Sequence, residues 1–145
     1  MEEINKHETL LRVRYQETDQ MGVVHHSNYA VWFEAGRTAM IRDIGISYSE
    51  LEQNGILLPV VDLHCRFISP ARYEEEIRVL TGIQEIHGPK ISFCYEVCRD
   101  DQLLVRGETI HLWTNREMKR LNLEKKEPEL FQKLLQYTLS AKTEE

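Results

Sequence analysis

The chain has 145 residues, of which 41% are hydrophobic and 29% charged, and its formal net charge is −6. That length and balance point to a single globular domain over residues 1–145, built on one core. The acidic balance, with no long basic run, gives nucleic-acid binding no electrostatic support, and no apolar stretch is long enough to span a bilayer.

The opening "MEEINKHETL" is charged and lacks the apolar run of a secretory signal, so a cytoplasmic location is expected. "TLLRVRY" (9–15) has the alternation and composition of a short strand. Residues 16–27 read as a loop. From 28 to 44 the apolar residues Tyr29, Trp32, Phe33, Gly36, Met40 and Ile44 fall on one helical face. Val31, Ala35, Ala39 and Ile41 widen that face and leave Glu34, Arg37, Thr38 and Arg42 as a narrow polar stripe. A helix apolar on most sides is wrapped by other structure, and Gly45 is placed to cap its end. Residues 47–55 give a second, short helix, with Ser47 or Ser49 as N-cap and Gly55 as stop.

The period then changes from helical to alternating. Segments 61–67, 75–86, 91–97 and 102–114 read as four long strands, separated by the turn signals Pro70, "HGP" at 87–89 and "RDD" at 99–101. Short connections imply an antiparallel meander. Residues 127–139 form an amphipathic tail helix with Leu130, Leu134 and Tyr137 on one side. The fold class is therefore α+β, with a core over about 9–115 and a helical tail over about 127–140. A single sheet must curl around the long helix to bury it, and its uncovered face and edges are expected to be closed by dimerisation. Cys65, Cys94 and Cys98 sit in alternating segments and read as small core residues, not a disulfide framework.

Chemistry concentrates in "YQETDQMGVVHHSNY", residues 15–29. Asp19 is either a loop carboxylate capping a turn or the acid of a site. Its neighbours favour the second reading. Gly22 permits a tight turn, Val23 and Val24 are apolar where an exposed loop is normally polar, and Ser27 or Asn28 is a natural N-cap. The free N–H groups at a helix start, with the macrodipole, favour developing negative charge. A carboxylate facing such a helix start across a semi-apolar pocket is suited to acyl transfer: amides hold the oxyanion while the acid attacks or activates water. Glu17 reads as a solvated loop acid, and Glu34 as a partner of Arg37 or Thr38. His25 and His26 are adjacent and lack the spacing of a metal pair, so no metal is expected. His64, His87 and His111 read as ordinary strand and turn residues.

The run "YQETDQMGVVHHSNYAVWFEAGRTAM" resembles the signature of hotdog-fold acyl-CoA thioesterases of the 4-hydroxybenzoyl-CoA thioesterase type, and "SPARYEEEIRVLT" (69–81) resembles the family's approach to a strand. The resemblance implies a hotdog fold, in which a curved antiparallel sheet of about five strands wraps a long helix. It implies homodimers whose sheets join, commonly paired into tetramers. It implies Asp19 as catalytic carboxylate, acting as nucleophile or general base, and a backbone N–H at or next to His26 as oxyanion donor. Tyr15 and His26 carry over as orienting groups, with Gly22, Val23, Val24 and Tyr29 around the substrate and Phe67 near the acyl chain. Lys90, in "HGPK", is the candidate for a CoA phosphate, followed by Arg72, Arg116, Lys119 and Arg120. Coenzyme A enters as part of the substrate and no separate cofactor is expected. The implied reaction is hydrolysis of acyl-CoA to free acid and CoA. Acyl-ACP hydrolysis and a non-catalytic acyl-CoA binder are the alternatives, and the histidine–carboxylate arrangement of the related dehydratases is not found.

Overall fold

The computed structural model describes residues 6–138. Five antiparallel strands form one sheet: β1 (His7–Arg12), β2 (Val60–Phe67), β3 (Glu76–His87), β4 (Lys90–Arg99) and β5 (Gln102–Leu112). The helices are α1 (Ser27–Ile44), α2 (Tyr48–Gln53), α3 (Leu123–Lys126) and α4 (Pro128–Gln136). The first strand is displaced from its expected limits, because Tyr15 falls in a 3-10 turn over Tyr15–Glu17.

The expected meander holds only for β3, β4 and β5. The strand order is β1-β3-β4-β5-β2, so β2 lies at the far edge, paired with β5. The chain then returns through residues 68–75 across the β4–β5 end of the sheet. Ile68 and Ser69 donate backbone bonds to the Leu104 carbonyl. The Arg99 guanidinium bonds the Pro70 carbonyl at 3.2 Å and the Glu75 carboxylate at 2.8 Å. This crossing loop forms one wall of the site.

The sheet curls over α1, which buries Tyr29, Trp32, Phe33, Gly36, Met40 and Ile41 against it. Two glycines set how closely they pack. A Cβ on Gly36 would lie 2.5 Å from the Thr81 hydroxyl, and one on Gly107 would overlap the Phe33 ring. Any larger residue at either position pushes helix and sheet apart. Gly45, at φ 100°, ends α1 as expected. Its amide bonds the Arg42 carbonyl, and Ile46 reaches back to Ile41. Ser47 caps α2 by accepting from the Glu50 amide. The tail comprises a short α3 followed by α4, whose Leu130, Phe131 and Leu134 are buried. Beyond it, Thr138 bridges to Ile83 on the stretch of β3 that β1 leaves unpaired. Residues 139 and 140 of the expected tail lie outside the described part.

Between α1 and the sheet runs a buried chain of hydrogen bonds whose direction is fixed by its ends. Arg37 can only donate, and does so to the Tyr95 hydroxyl at 3.0 Å. Tyr95 therefore donates to Thr109 (2.6 Å), Thr109 to His111 Nε2 (2.9 Å), and His111 Nδ1 to the Leu58 carbonyl (3.2 Å). Arg37 thus binds Tyr95, not the expected Glu34, which is exposed. His111 is fully buried. Burial, followed by the nearby Arg37 charge, lowers its pKa to about 4.

Candidate active site

The loop between β1 and α1 folds back on itself as a small hairpin. Thr18 bridges to Val24, and Asp19 and Gly22 close its tip through the Gly22 amide and Asp19 carbonyl at 2.9 Å. Gly22 sits at φ 81°, where a side chain is strained. Asp19 Oδ1 accepts from the Met21 amide at 2.9 Å. Its Oδ2 has no partner among the described residues.

Glu17, two residues earlier, is not the solvated acid its position implies. It is 4% exposed. One carboxylate oxygen accepts from the Arg14 amide at 2.8 Å. The other accepts from the Arg14 guanidinium and the Trp32 indole, both at 3.1 Å. Burial alone would raise its pKa, but the bonds from the Arg14 amide, Trp32 and the Arg14 side chain outweigh this, and the net shift is downward. The Glu17 carbonyl accepts from the His25 amide and the Asn28 side chain. Glu17 therefore clamps the Asp19 hairpin onto the first turn of α1. Its sequence signal was weak, because its partners stand three residues before it and fifteen after.

The start of α1 also differs from expectation. Helix geometry begins at Ser27, and Asn28 sends its side chain to Glu17 and His25 instead of capping. His25 Nδ1 accepts from the Ser27 amide at 3.2 Å and faces the Ser27 hydroxyl at 2.9 Å. The two imidazoles stack at 4.3 Å. The His25 amide goes to Glu17, that of Asn28 to His25, and that of Tyr29 to His26. Among the described residues the His26 N–H has no acceptor.

The expected site residues fall in two adjoining hollows. Tyr15, Asp19 and Gly22 line an open depression of about 580 Å³, shared with Tyr73, which meets Tyr15 edge-on at 5.5 Å. Val24, His26 and Tyr29 line a smaller cavity of about 230 Å³ with Phe67, Ile68, Ser69 and Pro70. Its walls are aromatic: Phe67 approaches Tyr29 at 5.6 Å and His26 at 6.5 Å. The crossing loop contributes to both hollows, Ile68–Pro70 to one and Tyr73 to the other, and Val23 pairs with Arg72 on it. Tyr29 is fixed from the same loop, its hydroxyl accepting from the Ala71 amide at 3.3 Å. Tyr73 and the Ile68–Pro70 wall were not read as site residues in the sequence, where Pro70 marked a turn; only the return path of β2 brings them here. Lys90 is not brought to either hollow. It pairs with His87 at the opposite end of β3 and faces Glu85 at 3.7 Å. Eleven steps along β3, about 35 Å of strand, separate that end from the crossing loop.

A carboxylate on a hairpin tip lines one hollow, and a helix-start amide with no acceptor among the described residues stands on the rim of the adjoining aromatic cavity. The model of the thioesterase-like superfamily matches residues 13–136. This chain belongs to that superfamily. The Bacillus subtilis putative acyl-CoA thioesterase YneP is 41% identical over 108 residues, 74% of this chain and 78% of that protein. The DHNA-CoA thioesterase of Staphylococcus aureus superposes with a TM-score of 0.86 at 30% identity, covering 90% of this chain and 89% of that one. A Thermus thermophilus structure aligns at 37% identity with a TM-score of 0.85, over 92% and 98% of the two chains. The helix wrapped by a curved five-stranded sheet is accordingly the hotdog fold of these thioesterases.

Proposed function

We propose that this chain hydrolyses the thioester of acyl-CoA at the start of α1. The observation that carries the reading is the His26 N–H, free of any acceptor among the described residues where its neighbours are all engaged, on the rim of the aromatic cavity. A thioester carbonyl placed there receives a hydrogen bond that strengthens as its oxygen becomes an alkoxide. Asp19 supplies the second half of the chemistry. As nucleophile it adds to the carbonyl carbon, CoA leaves as thiolate, and water then hydrolyses the anhydride. As general base it takes a proton from the water that attacks. Both routes consume one water and release one acid and one CoA, and neither requires a cofactor. Tyr15 and the His26 ring orient the reacting groups. Val24, Tyr29 and Phe67 hold the acyl group, with Gly22 and Val23 shaping the turn between. For Lys90 to meet a CoA phosphate, it must do so in a neighbouring copy's site.

We infer a cytosolic homodimer that associates further into tetramers. In support, no described helix is long and apolar enough to cross a membrane, Cys65, Cys94 and Cys98 are free thiols, and one sheet edge exposes apolar side chains. The test is thiol release from short, medium, long and aromatic acyl-CoAs, with acyl-ACP esters in parallel. Turnover of CoA esters is expected. Tight CoA binding without turnover of any thioester would make the chain a binding protein instead.

A further inference from the structure

The cavity of about 230 Å³ beside His26 takes the acyl half of a thioester. The other half, the sulfur and what it carries, has to leave on the side of Asp19. There the chain offers the open hollow of about 580 Å³, whose lining includes Asp19 itself. Tyr15 and Tyr73 stand 74% and 50% exposed on it and meet edge-on at 5.5 Å. Two rings exposed together beside a carboxylate form a contact surface, not a core. Gln16, Thr18 and Gln20 supply amides and a hydroxyl along the same hollow. The Thr18 hydroxyl donates to the Tyr15 carbonyl at 2.7 Å and keeps its capacity to accept. Among the described residues the lining holds no cation, so it does not suit a phosphate.

A second observation concerns the turn that presents Tyr73. Glu74 is held at φ 74°, a left-handed conformation unfavourable for a residue with a Cβ. Bonds on both sides fix it there. The Glu74 amide donates to the Val13 carbonyl at 3.1 Å, and the Arg12 guanidinium donates to the Glu74 carbonyl at 2.7 Å. The Glu75 carboxylate accepts from the Arg72 amide and the Arg99 guanidinium, both at 2.8 Å. The Tyr73 ring makes none of these bonds, yet they set it against Tyr15 without burying it. A strained turn held this firmly beside a site points to a function for the side chain it carries.

We propose that Tyr73, with Tyr15, receives the pantetheine arm of the substrate, and that Tyr73 determines specificity for the thiol half. That arm alternates short methylene runs with amides. The methylenes lie on the tyrosine rings and the amides face Gln16, Thr18 and Gln20. This rests on the hydrolysis proposed above and adds which half of the substrate each hollow reads: Phe67 the acyl group, Tyr73 the carrier arm. The arm is common to CoA and acyl carrier protein esters, so the contact accepts both.

The experiment compares thioesters of one acid with CoA, with pantetheine and with ethanethiol, read by thiol release. In the wild-type protein kcat/KM should be at least about tenfold higher for the CoA and pantetheine esters than for the ethanethiol ester. Equal values for pantetheine and ethanethiol overturn the proposal, whether or not any variant folds. Tyr73→Ala should raise KM for the CoA and pantetheine esters about tenfold with kcat retained, and Tyr73→Phe should keep the wild-type KM. A loss equal for all three esters, one confined to the CoA ester, or one that varies with acyl length overturns it. So does a changed oligomeric state of Tyr73→Ala in sedimentation, which would make the pair an interface. If no ester is turned over, hydrolysis fails by itself, and calorimetry with acyl-CoA decides. Binding about tenfold weaker in Tyr73→Ala upholds the contact with the arm, and equal affinity overturns it.

Discussion

Two polar regions of this molecule are built in opposite ways. The chain from Arg37 through Tyr95 and Thr109 to His111 and the Leu58 carbonyl is closed, with every step forced by its ends. The helix start is open: Asp19 keeps one oxygen unmatched, and the His26 amide has no acceptor among the described residues. Buried groups that satisfy one another contribute to a unique core. Groups left with unused bonding capacity beside a cavity are available to a substrate. Substitution in the first region should therefore change stability and spare turnover, and in the second the reverse.

The largest effect tests the open region. Asp19→Asn should lower kcat for acyl-CoA hydrolysis by about 10³-fold, within the range for a lost general base, while melting temperature and oligomeric state stay at wild-type values. Thiol release measured beside a thermal melt checks this. Full activity in that variant would remove Asp19 from the mechanism.

Next comes the pH dependence of the closed region. The unfolded chain protonates His111 as pH falls through about 6.5, whereas the folded chain resists until about 4. The unfolded state thus binds more protons across that window, and stability declines on acidification by up to about 3 kcal/mol. The bonding direction agrees, since a proton on Nε2 would face the Thr109 hydroxyl proton. Urea denaturation between pH 4 and 7 should show this slope, and His111→Gln should flatten it. Glu17 acts at lower pH. Its folded pKa lies below its ordinary 4.5, so its contribution is present above 4.5 and is lost as pH falls through the folded value.

Tyr95→Phe interrupts the closed chain at its centre while the ring can still stack on Phe33 at 4.3 Å. Arg37 loses an acceptor in a buried setting, which costs about 2 kcal/mol. The midpoint of urea unfolding should fall accordingly, with kcat per folded site unchanged. A loss of kcat would mean that the two regions are coupled.

The closed and open regions were not equally legible. Alternation and the helical stripe mark the elements, because a half-buried strand and a wrapped helix leave periods of 2 and 3.6. Val24, Tyr29 and Phe67, expected around the acyl group, do line one cavity. Periodicity does not specify which strand neighbours which, so the displacement of β2 to the far edge, and with it Tyr73 and the Ile68–Pro70 wall, was hidden. Glu17 was misread as solvated, and the burial of His111, which does lie in a strand as expected, was hidden for a related reason. A charged or titratable residue is normally exposed, and what buries these two is a set of partners distant in sequence: Trp32 for one, Thr109 and Leu58 for the other.

The smallest effect separates binding from chemistry within the open region. Phe67 is 53% exposed in the single chain, yet it meets both Tyr29 and His26 across the aromatic cavity. Among the described residues its ring contacts are with Tyr29 and His26, not with Asp19. Phe67→Ala therefore removes contact area from the acyl group while leaving the reacting groups in place. Contacts that stabilise bound substrate and transition state alike change KM and leave kcat. A loss of about 1.4 kcal/mol of apolar contact corresponds to roughly a tenfold rise in KM for the preferred acyl-CoA. The rise should shrink for acyl groups too short to reach the ring. A KM that is unchanged for every chain length would place the acyl group in the Tyr15–Tyr73 depression instead.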